Sequence, residues 1–451
     1  MRKVFVYVVL YIFTIAIVAS TFLITPNIRT DFPTLRFIII IFATVLLSKY
    51  FIYMCLSPWY EVLLALKQRR FRGLRKTPFN PRVSVLIPAW NEGTGVITTI
   101  NTLLNSAYKN LEIIVINNAS TDNTEQNLKK LIREYYDAHA VAKDRIEIVY
   151  ALETTQGKGH ALNRGLSIAT GEIIVSIDAD CSVPSSTINH FVTHFEDTDV
   201  MAAVGNVRIG DTTHLLGVVQ YLEFLFSFYF KKADALMNTI YIIGGAAGAF
   251  RKKVFDDLGP YSLTNITEDI ELSVRIQNAG MKIAYASDAI VYTEGATTMS
   301  GLMKQRLRWK RGRFETFAEH KKLFFSTRKE HRKILTLLIL PLALFGELQL
   351  FFEIFFLLFL YVFSYLMNDY SSFISGVAVV SSMFVVQIAF DKHKETRLSF
   401  MLLAPIGWLL FYASTFVESQ ALIRAVWGYA RGSEVKWQKW ERTGVFNQKT
   451  L

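Results

Sequence analysis

Long apolar segments lie near the start of the chain. Residues 4–24 and 35–56 are almost uninterrupted apolar stretches separated by a short polar break. Each has about the 20 residues that a helix needs to cross a bilayer. Residues 1–60 are therefore predicted to form a transmembrane hairpin. The first stretch is longer than the apolar core of a signal peptide and lacks an evident cleavage site, so it is expected to be retained.

Apolar character returns in three runs of the C-terminal part, at residues 334–367, 372–390 and 399–417. Together they predict a second transmembrane region over residues 334–427. A basic and aromatic tail over residues 428–451 follows it. Basic residues and tryptophans favour the cytoplasmic side or the membrane interface, so the tail is expected there.

The run at residues 334–367 is too long for one upright span and short for two. Three upright spans after a cytoplasmic domain would place the basic tail outside, against the positive-inside tendency. Either this run crosses twice or the last apolar run does not cross fully. An interfacial or re-entrant helix followed by a span is a further interpretation of residues 334–367.

Between the apolar ends, residues 82–323 alternate short β-branched runs with helical patterns. Such alternation predicts an α/β domain with a parallel sheet, whose ligands bind at the carboxyl ends of the strands. The predicted strands are residues 83–87, 112–116 and 172–177, and the predicted helices are residues 94–105, 123–140 and 158–169. Residues 215–230 are also apolar, but the stretch is short and contains Glu223, so we expect it at the membrane interface or in the core.

Charge supports this division of the chain. The formal net charge is +11, and basic residues cluster beside apolar runs, as in residues 67–76. This placement favours a cytoplasmic membrane flank over a nucleic-acid surface, although a merely solvated charge run would look the same. No nucleic-acid partner is expected. The only two cysteines, Cys55 and Cys181, imply neither a disulfide framework nor a cysteine metal site.

Two carboxylates follow the third predicted strand. Asp178 and Asp180 are separated by one residue at the mouth of the predicted sheet. Mg²⁺ and Mn²⁺ prefer oxygen ligands and bridge phosphate oxygens, so this pair is suited to hold a divalent cation against a diphosphate. Short acidic patterns are often loop or cap residues, but the position directly after a buried strand favours a metal site.

A second acidic motif precedes a predicted helix. Thr267 is suited to cap that helix, and Glu268 and Asp269 would then be first-turn residues stabilised by the helix dipole. A carboxylate held ionised at a helix terminus is equally suited to act as a general base that deprotonates a sugar hydroxyl. The local pattern does not choose between these interpretations.

Two basic segments are candidates for phosphate and sugar binding. Lys158 is flanked by glycines at a predicted helix start, which suits a phosphate, although the segment is not a full P-loop. Further along, Arg308 is suited to pair with a leaving diphosphate, and Trp309 offers a flat face to a sugar ring. The alternative for this second segment is an amphipathic interfacial helix with a tryptophan at headgroup depth.

Taken together and in order, these motifs resemble the processive members of the family-2 inverting glycosyltransferases, such as poly-N-acetylglucosamine, hyaluronan, chitin-oligosaccharide and cellulose synthases. The segments at residues 205–209 and 304–309 look most similar to those of the poly-N-acetylglucosamine synthases. The matching motifs are Val85-Leu86-Ile87-Pro88-Ala89-Trp90-Asn91-Glu92, Asn117-Asn118-Ala119-Ser120-Thr121-Asp122, Gly157-Lys158, Asp178-Ala179-Asp180, Gly244-Gly245 to Phe250-Arg251, Thr267-Glu268-Asp269 and Gln305-Arg306-Leu307-Arg308-Trp309.

The resemblance implies a cytoplasmic GT-A (Rossmann-like) domain flanked by transmembrane helices, with Mg²⁺ or Mn²⁺ as cofactor. It implies that Asp180, helped by Asp178, binds the metal and that Asp269 is the general base, with Glu268 beside it. The implied donor-binding residues are Pro88, Asn91, Glu92, Asn118, Lys158, Asp178 and Arg308. The implied acceptor-binding residues are Gln305, Arg308, Trp309 and Gly245.

The implied reaction is polymerisation of a sugar from a UDP-sugar, with UDP-N-acetylglucosamine the best candidate, into a β-linked polysaccharide that the membrane helices guide outward. The implied partners are the donor, the growing polysaccharide and the lipid bilayer, and some relatives have a small membrane partner subunit. One departure concerns the donor, because many relatives carry an aspartate against the uracil where this chain has Asn118. An amide both accepts and donates, so uridine binding is still expected.

Two other functions remain open at this point. A non-processive transferase that adds one sugar to a lipid would share the metal and base motifs, but would not need residues 305–309 or several C-terminal membrane segments. A polysaccharide export component that only senses a nucleotide-sugar is the alternative from another class. Such a sensor has no use for Asp269, which favours an enzyme.

Overall fold

The computed structural model describes residues 48–74, 79–139, 146–367, 370–391 and 398–433. The first predicted membrane run, most of the second, and most of the basic tail lie outside these residues. Residues 48–56, the end of the second run, are helical. The N-terminal hairpin and the tail therefore stay predictions.

Eight strands form one mixed sheet with the order β3-β2-β1-β4-β7-β6-β8-β5. Strands β1 to β4 run parallel to one another, whereas β7 is antiparallel to both of its neighbours, β4 and β6. The strands are β1 (Val83–Ala89), β2 (Leu111–Asn118), β3 (Glu147–Glu153), β4 (Ile173–Ser176), β5 (Cys181–Ser182), β6 (Val200–Ile209), β7 (Gly248–Arg251) and β8 (Lys282–Thr293).

Twelve helices, counted over the described residues and leaving out 48–56, accompany this sheet and continue beyond it. They are α1 (Trp59–Leu74), α2 (Gly95–Leu104), α3 (Thr124–Ala138), α4 (Lys158–Ile168), α5 (Thr187–His194), α6 (Leu215–Met237), α7 (Lys252–Leu258), α8 (Glu268–Asn278), α9 (Met299–Glu319), α10 (Leu340–Met367), α11 (Ser371–Ala389) and α12 (Ala404–Ala430). Short 3-10 or π-helical turns cover Lys321–Leu323, Leu335–Ile339 and Leu398–Leu403.

The three strands predicted from β-branched runs are β1, β2 and β4, and the three predicted helices are α2, α3 and α4. Strands β2 and β4 are buried along their whole length because helices cover both faces of the sheet. Successive side chains alternate between two cores: Val85 and Ile87 face one, and Leu86 faces the other. The expectation of a parallel sheet is wrong for two strands, β7 and β5, which run antiparallel to their neighbours, whereas β6 and β8 pair in parallel.

Helix α4 lies unusually close to the sheet at Gly165. A Cβ on this glycine would lie 2.8 Å from Cδ1 of Ile116 and 3.1 Å from Cδ2 of Leu86. The glycine thus lets the helix backbone rest directly on the apolar sheet surface. This close packing fixes the start of α4, where Lys158 lies, against the carboxyl ends of the parallel strands.

Helix α6 contains the short apolar stretch that begins at Leu215. It packs against β6 and β8 on one side and against α11 and α12 on the other. Its buried side chains include Tyr221, Leu222 and Phe230. The helix therefore lies in the interior, between the sheet and the C-terminal helices.

The apolar run at residues 334–367 is a single uninterrupted helix that begins with a π-helical turn. A helix without a reversal cannot cross a membrane twice, so the two-crossing interpretation is wrong. Among the described residues, one helix, Leu335–Phe355, is long and apolar enough to cross a membrane. The other two C-terminal runs form most of α11 and α12, and α12 extends past the predicted end of its run to Ala430.

Candidate active site

The loop after β4 holds the two aspartates in a fixed backbone. The Thr99 hydroxyl of α2 lies 2.8 Å from the Ala179 carbonyl and 2.7 Å from the Cys181 carbonyl, and it accepts a 3.1 Å bond from the Cys181 amide. Asp180 is buried, whereas the Asp178 side chain is 29% exposed. The Asp180 carboxylate is thus enclosed by protein, and the Asp178 carboxylate is partly accessible to solvent.

Glu92 reaches the same loop from the end of β1. A Cβ on Gly95 would lie 3.4 Å from Oε2 of Glu92 and 3.9 Å from Cα of Asp180, so these groups meet at the first turn of α2. Glu92 is buried, and its amide donates to the Thr124 hydroxyl. Pro88 lies in β1 opposite Ile116 of β2.

Lys158 joins the two acidic motifs. Its ammonium lies 2.6 Å from Oδ1 of Asp178 and 3.5 Å from Oε1 of Glu268. Burial alone lowers the pKa of Lys158, but the carboxylates of Asp178, Glu268 and Asp269 outweigh burial and raise this pKa above its usual value. The lysine therefore remains a cation between the carboxylates at physiological pH.

Asp269 is oriented by the backbone of the loop before β7. The Gly245 amide donates a 2.7 Å hydrogen bond to Oδ2 of Asp269, and Oδ1 accepts from the Ile270 amide. The preceding residue, Glu268, is buried, and burial raises the pKa of its carboxyl group despite the neighbouring Lys158. Both acids lie in the first turn of α8, as the sequence predicts.

Thr267 occupies the N-cap position of α8, but its hydroxyl does not cap the helix. It donates instead to Oδ1 of Asn265, at 3.1 Å. Helix α9 passes close by at Gly312, where a Cβ would lie 2.0 Å from the Thr267 hydroxyl oxygen. The turn before Asp269 is therefore locked between Asn265 and α9.

The two asparagines predicted to bind the donor both organise loops. Asn118, at the end of β2, donates 2.6 Å to the Thr155 carbonyl and accepts 2.7 Å from the Gly157 amide. Asn91 adopts a left-handed backbone with φ 54°, and its side-chain oxygen accepts a 2.7 Å bond from the Thr121 amide. Asn118 thus fixes the loop that leads to Lys158, which sequence reasoning did not foresee.

Helix α9 carries the basic motif alongside these groups. Gln305 is buried, and Arg308 and Trp309 are partly exposed. The Trp309 ring lies 6.4 Å from that of Phe224, between centroids, and the Arg306 guanidinium carbon lies 4.3 Å from the centroid of the indole.

The structure thus brings Asp178, Lys158, Glu268, Asp269 and Gly245 into one cluster. Sequence reasoning missed a second, adjacent cluster of charges behind α9. In it the cations Arg306, Lys310 and Arg313 pair with the carboxylates Glu223, Glu347 and Glu418. The available signal was the presence of acidic residues within otherwise apolar runs.

A divalent cation fits the donor set at the Asp178 end of the cluster. Carboxylate oxygens are the ligands that Mg²⁺ and Mn²⁺ prefer, and one ammonium already lies against Asp178. We expect Asp178 and Asp180 to supply two of about six coordination positions, which leaves the others for diphosphate oxygens and water. The site is therefore suited to bind a metal together with a nucleotide diphosphate.

Comparison with known proteins identifies the family of the chain. Residues 81–312 match the family described as glycosyltransferase like family 2. A poly-β-1,6-N-acetyl-D-glucosamine synthase of Staphylococcus aureus (strain COL) is 29% identical over 253 residues, which is 55% of this chain and 58% of that protein. The synthase of the same name from Staphylococcus epidermidis is 30% identical over 259 residues, 57% of this chain and 60% of that protein.

Among solved structures, a mannosyltransferase from Pyrobaculum calidifontis in complex with GDP-mannose and Mn²⁺ is similar in fold. The TM-score is 0.51 at 20% identity, over 85% of this chain and 99% of that chain. At this identity the likeness concerns the fold, which is an α/β fold of the GT-A type. With residues 81–312 of 451 matched, the chain is a glycosyltransferase and belongs to family 2.

Proposed function

We propose that the protein is a membrane-embedded inverting glycosyltransferase that polymerises N-acetylglucosamine from UDP-N-acetylglucosamine into a β-linked polysaccharide. The names of the two staphylococcal relatives support the product class. The apolar helix Leu335–Phe355 supports embedding in a plasma or inner membrane, with the catalytic domain on the cytoplasmic side, where nucleotide-sugars are made.

One observation carries the proposal. A single ammonium, that of Lys158, lies between the carboxylate of Asp178 and that of Glu268, next to Asp269. The residues suited to bind a diphosphate and the residues suited to take a proton therefore share one cluster. A site that only senses a nucleotide-sugar would need the first group without the second.

The proposed reaction is one in-line displacement at the anomeric carbon. Asp178 and Asp180 would hold the divalent cation, which supplies positive charge to the leaving diphosphate. Lys158 and Arg308 add positive charge on the protein side, and such preorganised charge stabilises the transition state. Asp269 accepts the proton of the attacking acceptor hydroxyl, with Oδ2 fixed by the Gly245 amide.

Gln305 and Trp309 of α9 are proposed to bind the sugar at the acceptor end. Buried amide groups suit sugar hydroxyls, and the carboxamide oxygen of Gln305 has no hydrogen-bond partner among the described residues. A held acceptor end allows repeated addition without release. This retention is the property that separates a polymerase from a transferase that adds one sugar.

The test measures incorporation of labelled UDP-sugars by the purified full-length protein in detergent or lipid nanodiscs with Mg²⁺ or Mn²⁺. Wild type is compared with Asp269→Asn and with Asp256→Asn, an exposed aspartate on α7. We expect high-molecular-weight product from UDP-N-acetylglucosamine with wild type and the Asp256 variant, and none with the Asp269 variant. Linkage analysis of the product by NMR tests whether it is β-1,6-linked, as named for the relatives.

Two results would contradict the proposal. A short lipid-linked product would indicate a single-addition transferase. Nucleotide-sugar binding without transfer from any donor would favour a sensing role. A long product made from another UDP-sugar would keep the polymerase and change the donor.

A further inference from the structure

We propose that Arg306 is a positioning residue that fixes the indole of Trp309 and thereby sets how tightly the acceptor end is held. The inference rests on the function proposed above and adds a residue to it. It also links the acceptor site to α6 and α12, because both helices contribute a carboxylate that holds Arg306.

The first step is the contact between the two side chains. Arg306 and Trp309 are three residues apart on α9, a spacing that brings side chains onto neighbouring positions of a helix. The guanidinium carbon lies 4.3 Å from the centroid of the indole, within the range of a cation–π contact. The Arg306 side chain is only 3% exposed, so little water competes with the ring.

The second step concerns what holds the guanidinium. Its Nη2 lies 2.8 Å from Oε2 of Glu223 on α6, and its Nε lies 3.1 Å from Oε1 of Glu418 on α12. Because the guanidinium is planar and rigid, two partners at different nitrogens fix the plane as well as the position. A fixed plane against the ring restricts the tilt of the indole.

The third step separates this role from simple attachment of α9. Lys310 belongs to the same buried charge cluster, and its ammonium lies 2.9 Å from the carboxylates of both Glu347 and Glu418. Arg313 adds a 2.7 Å bond to Glu347. Helix α9 is therefore tied to α10 and α12 by residues other than Arg306, and Lys310 provides a matched control.

If Trp309 stacks against the acceptor sugar, a loosened indole weakens acceptor binding and leaves donor binding largely unchanged. The expected effect of losing the contact is a rise of about tenfold in the acceptor KM, the size of one partly desolvated cation–π contact. Since an acceptor that dissociates more often receives fewer sugars, product length should fall as well. The donor KM should stay near that of wild type, because neither Arg306 nor Trp309 is assigned to the donor.

The experiment uses the full-length protein in nanodiscs, with N-acetylglucosamine oligosaccharides as acceptors and UDP-N-acetylglucosamine as donor. Initial rates give the KM of each substrate, and size-exclusion chromatography gives product length. Arg306→Met should raise the acceptor KM and shorten the product, and Arg306→Lys, which keeps the charge but loses the planar group, should do so less. Lys310→Met should keep the acceptor KM near that of wild type.

A double-mutant cycle makes the assignment specific. If Arg306 acts through the indole, Arg306→Lys should have no further effect on the acceptor KM in a Trp309→Leu background, which has no aromatic ring for a cation to contact. Equal effects in both backgrounds, or equal effects of the Arg306 and Lys310 variants, would overturn the inference. If Arg306→Met does not fold, the Arg306→Lys cycle alone decides. Failure of wild type to elongate any acceptor would overturn the proposed function itself, which separates the two failures.

Discussion

The backbone amide of Gly245 donates a 2.7 Å hydrogen bond to Oδ2 of Asp269. A Cβ on the same glycine would lie 2.6 Å from Nζ of Lys158 and 3.1 Å from Oδ2 of Asp269, so a side chain there would have to displace one of these groups. The glycine therefore lets the loop touch both charged groups at once. The role of Gly245 is steric, because the absence of a Cβ lets its backbone lie against both Lys158 and Asp269.

Gly245→Ala is expected to lower the transfer rate by about 100-fold, the cost of displacing reacting groups by about 1 Å. The added methyl group must push away either the ammonium or the proposed base. Gly244→Ala is the matched control, because a Cβ at Gly244 meets nothing within 4 Å. Labelled-sugar transfer and thermal unfolding are measured for both variants. Equal activities of the two variants would contradict the spatial argument.

The metal assignment predicts the behaviour of Asp180→Asn. This substitution keeps the size of a buried side chain but removes the negative charge that a divalent cation needs. Calorimetric titration of UDP in the presence of Mn²⁺ should show affinity lowered by more than about tenfold, since even indirect supporting groups of metal sites contribute that much. Asp256→Asn should bind as wild type does. Unchanged Mn²⁺-dependent binding in the Asp180 variant would remove this residue from the metal site.

The sequence was sufficient to locate the uniformly apolar strands whose ends carry the candidate site residues. Strands β1, β2 and β4 are continuous runs buried between helices, so their positions are apparent from composition. Parallel strands end at one edge of a sheet, which is why the ligands were expected at the carboxyl ends of these strands.

Contacts that depend on distant pairing could not be predicted in this way. Strand β6 contains Gly205 and Asn206, and its pairing with β8 shifts register twice, so no simple apolar pattern marks it. The bridge from Lys158 to Glu268 joins residues 110 positions apart in sequence. The partners of Arg306 come from two helices, and a sequence pattern carries no information about which charges meet across such distances.

Asp197 predicts a pH dependence of stability. It accepts hydrogen bonds from Lys67 of α1 and Lys282 of β8, at 2.6 and 2.7 Å. Burial alone raises the pKa of Asp197, but the two lysines outweigh burial and lower the pKa to about 2 from the ordinary value of 3.8. A lowered pKa in the folded state contributes stability that is complete above pH 3.8 and is lost as the pH falls towards 2.

Asp197→Asn should therefore lower the free energy of unfolding at pH 7 by about 1 kcal/mol, a value reduced by solvent screening of the two partly exposed lysines. The difference from wild type should shrink steadily below pH 3.8. Unfolding followed by intrinsic fluorescence at a series of pH values measures this. A difference that is constant with pH would show that the substitution acts through packing and not through charge.

A substitution at Asn118 can distinguish two roles of this residue, which are to hold the loop before Lys158 and to contact the uracil of the donor. Its amide donates to the Thr155 carbonyl and accepts from the Gly157 amide, so an aspartate could keep only the second bond. Asn118→Asp should place a carboxylate against a carbonyl oxygen in a buried position and lower the free energy of unfolding by about 1–3 kcal/mol. The donor KM should rise, because the loop before Lys158 loses its anchor.

The control is Asn110→Asp, which removes a similar bond to the Asn80 carbonyl at a solvent-accessible position and should change stability by less than about 0.5 kcal/mol. Chemical unfolding in detergent and donor KM values are measured for both variants. If Asn118 instead contacted the uracil as the aspartate of many relatives is expected to do, Asn118→Asp would lower the donor KM at little cost in stability. That result would assign the amide to the nucleotide and would require the loop from Thr155 to Gly157 to be held by other groups.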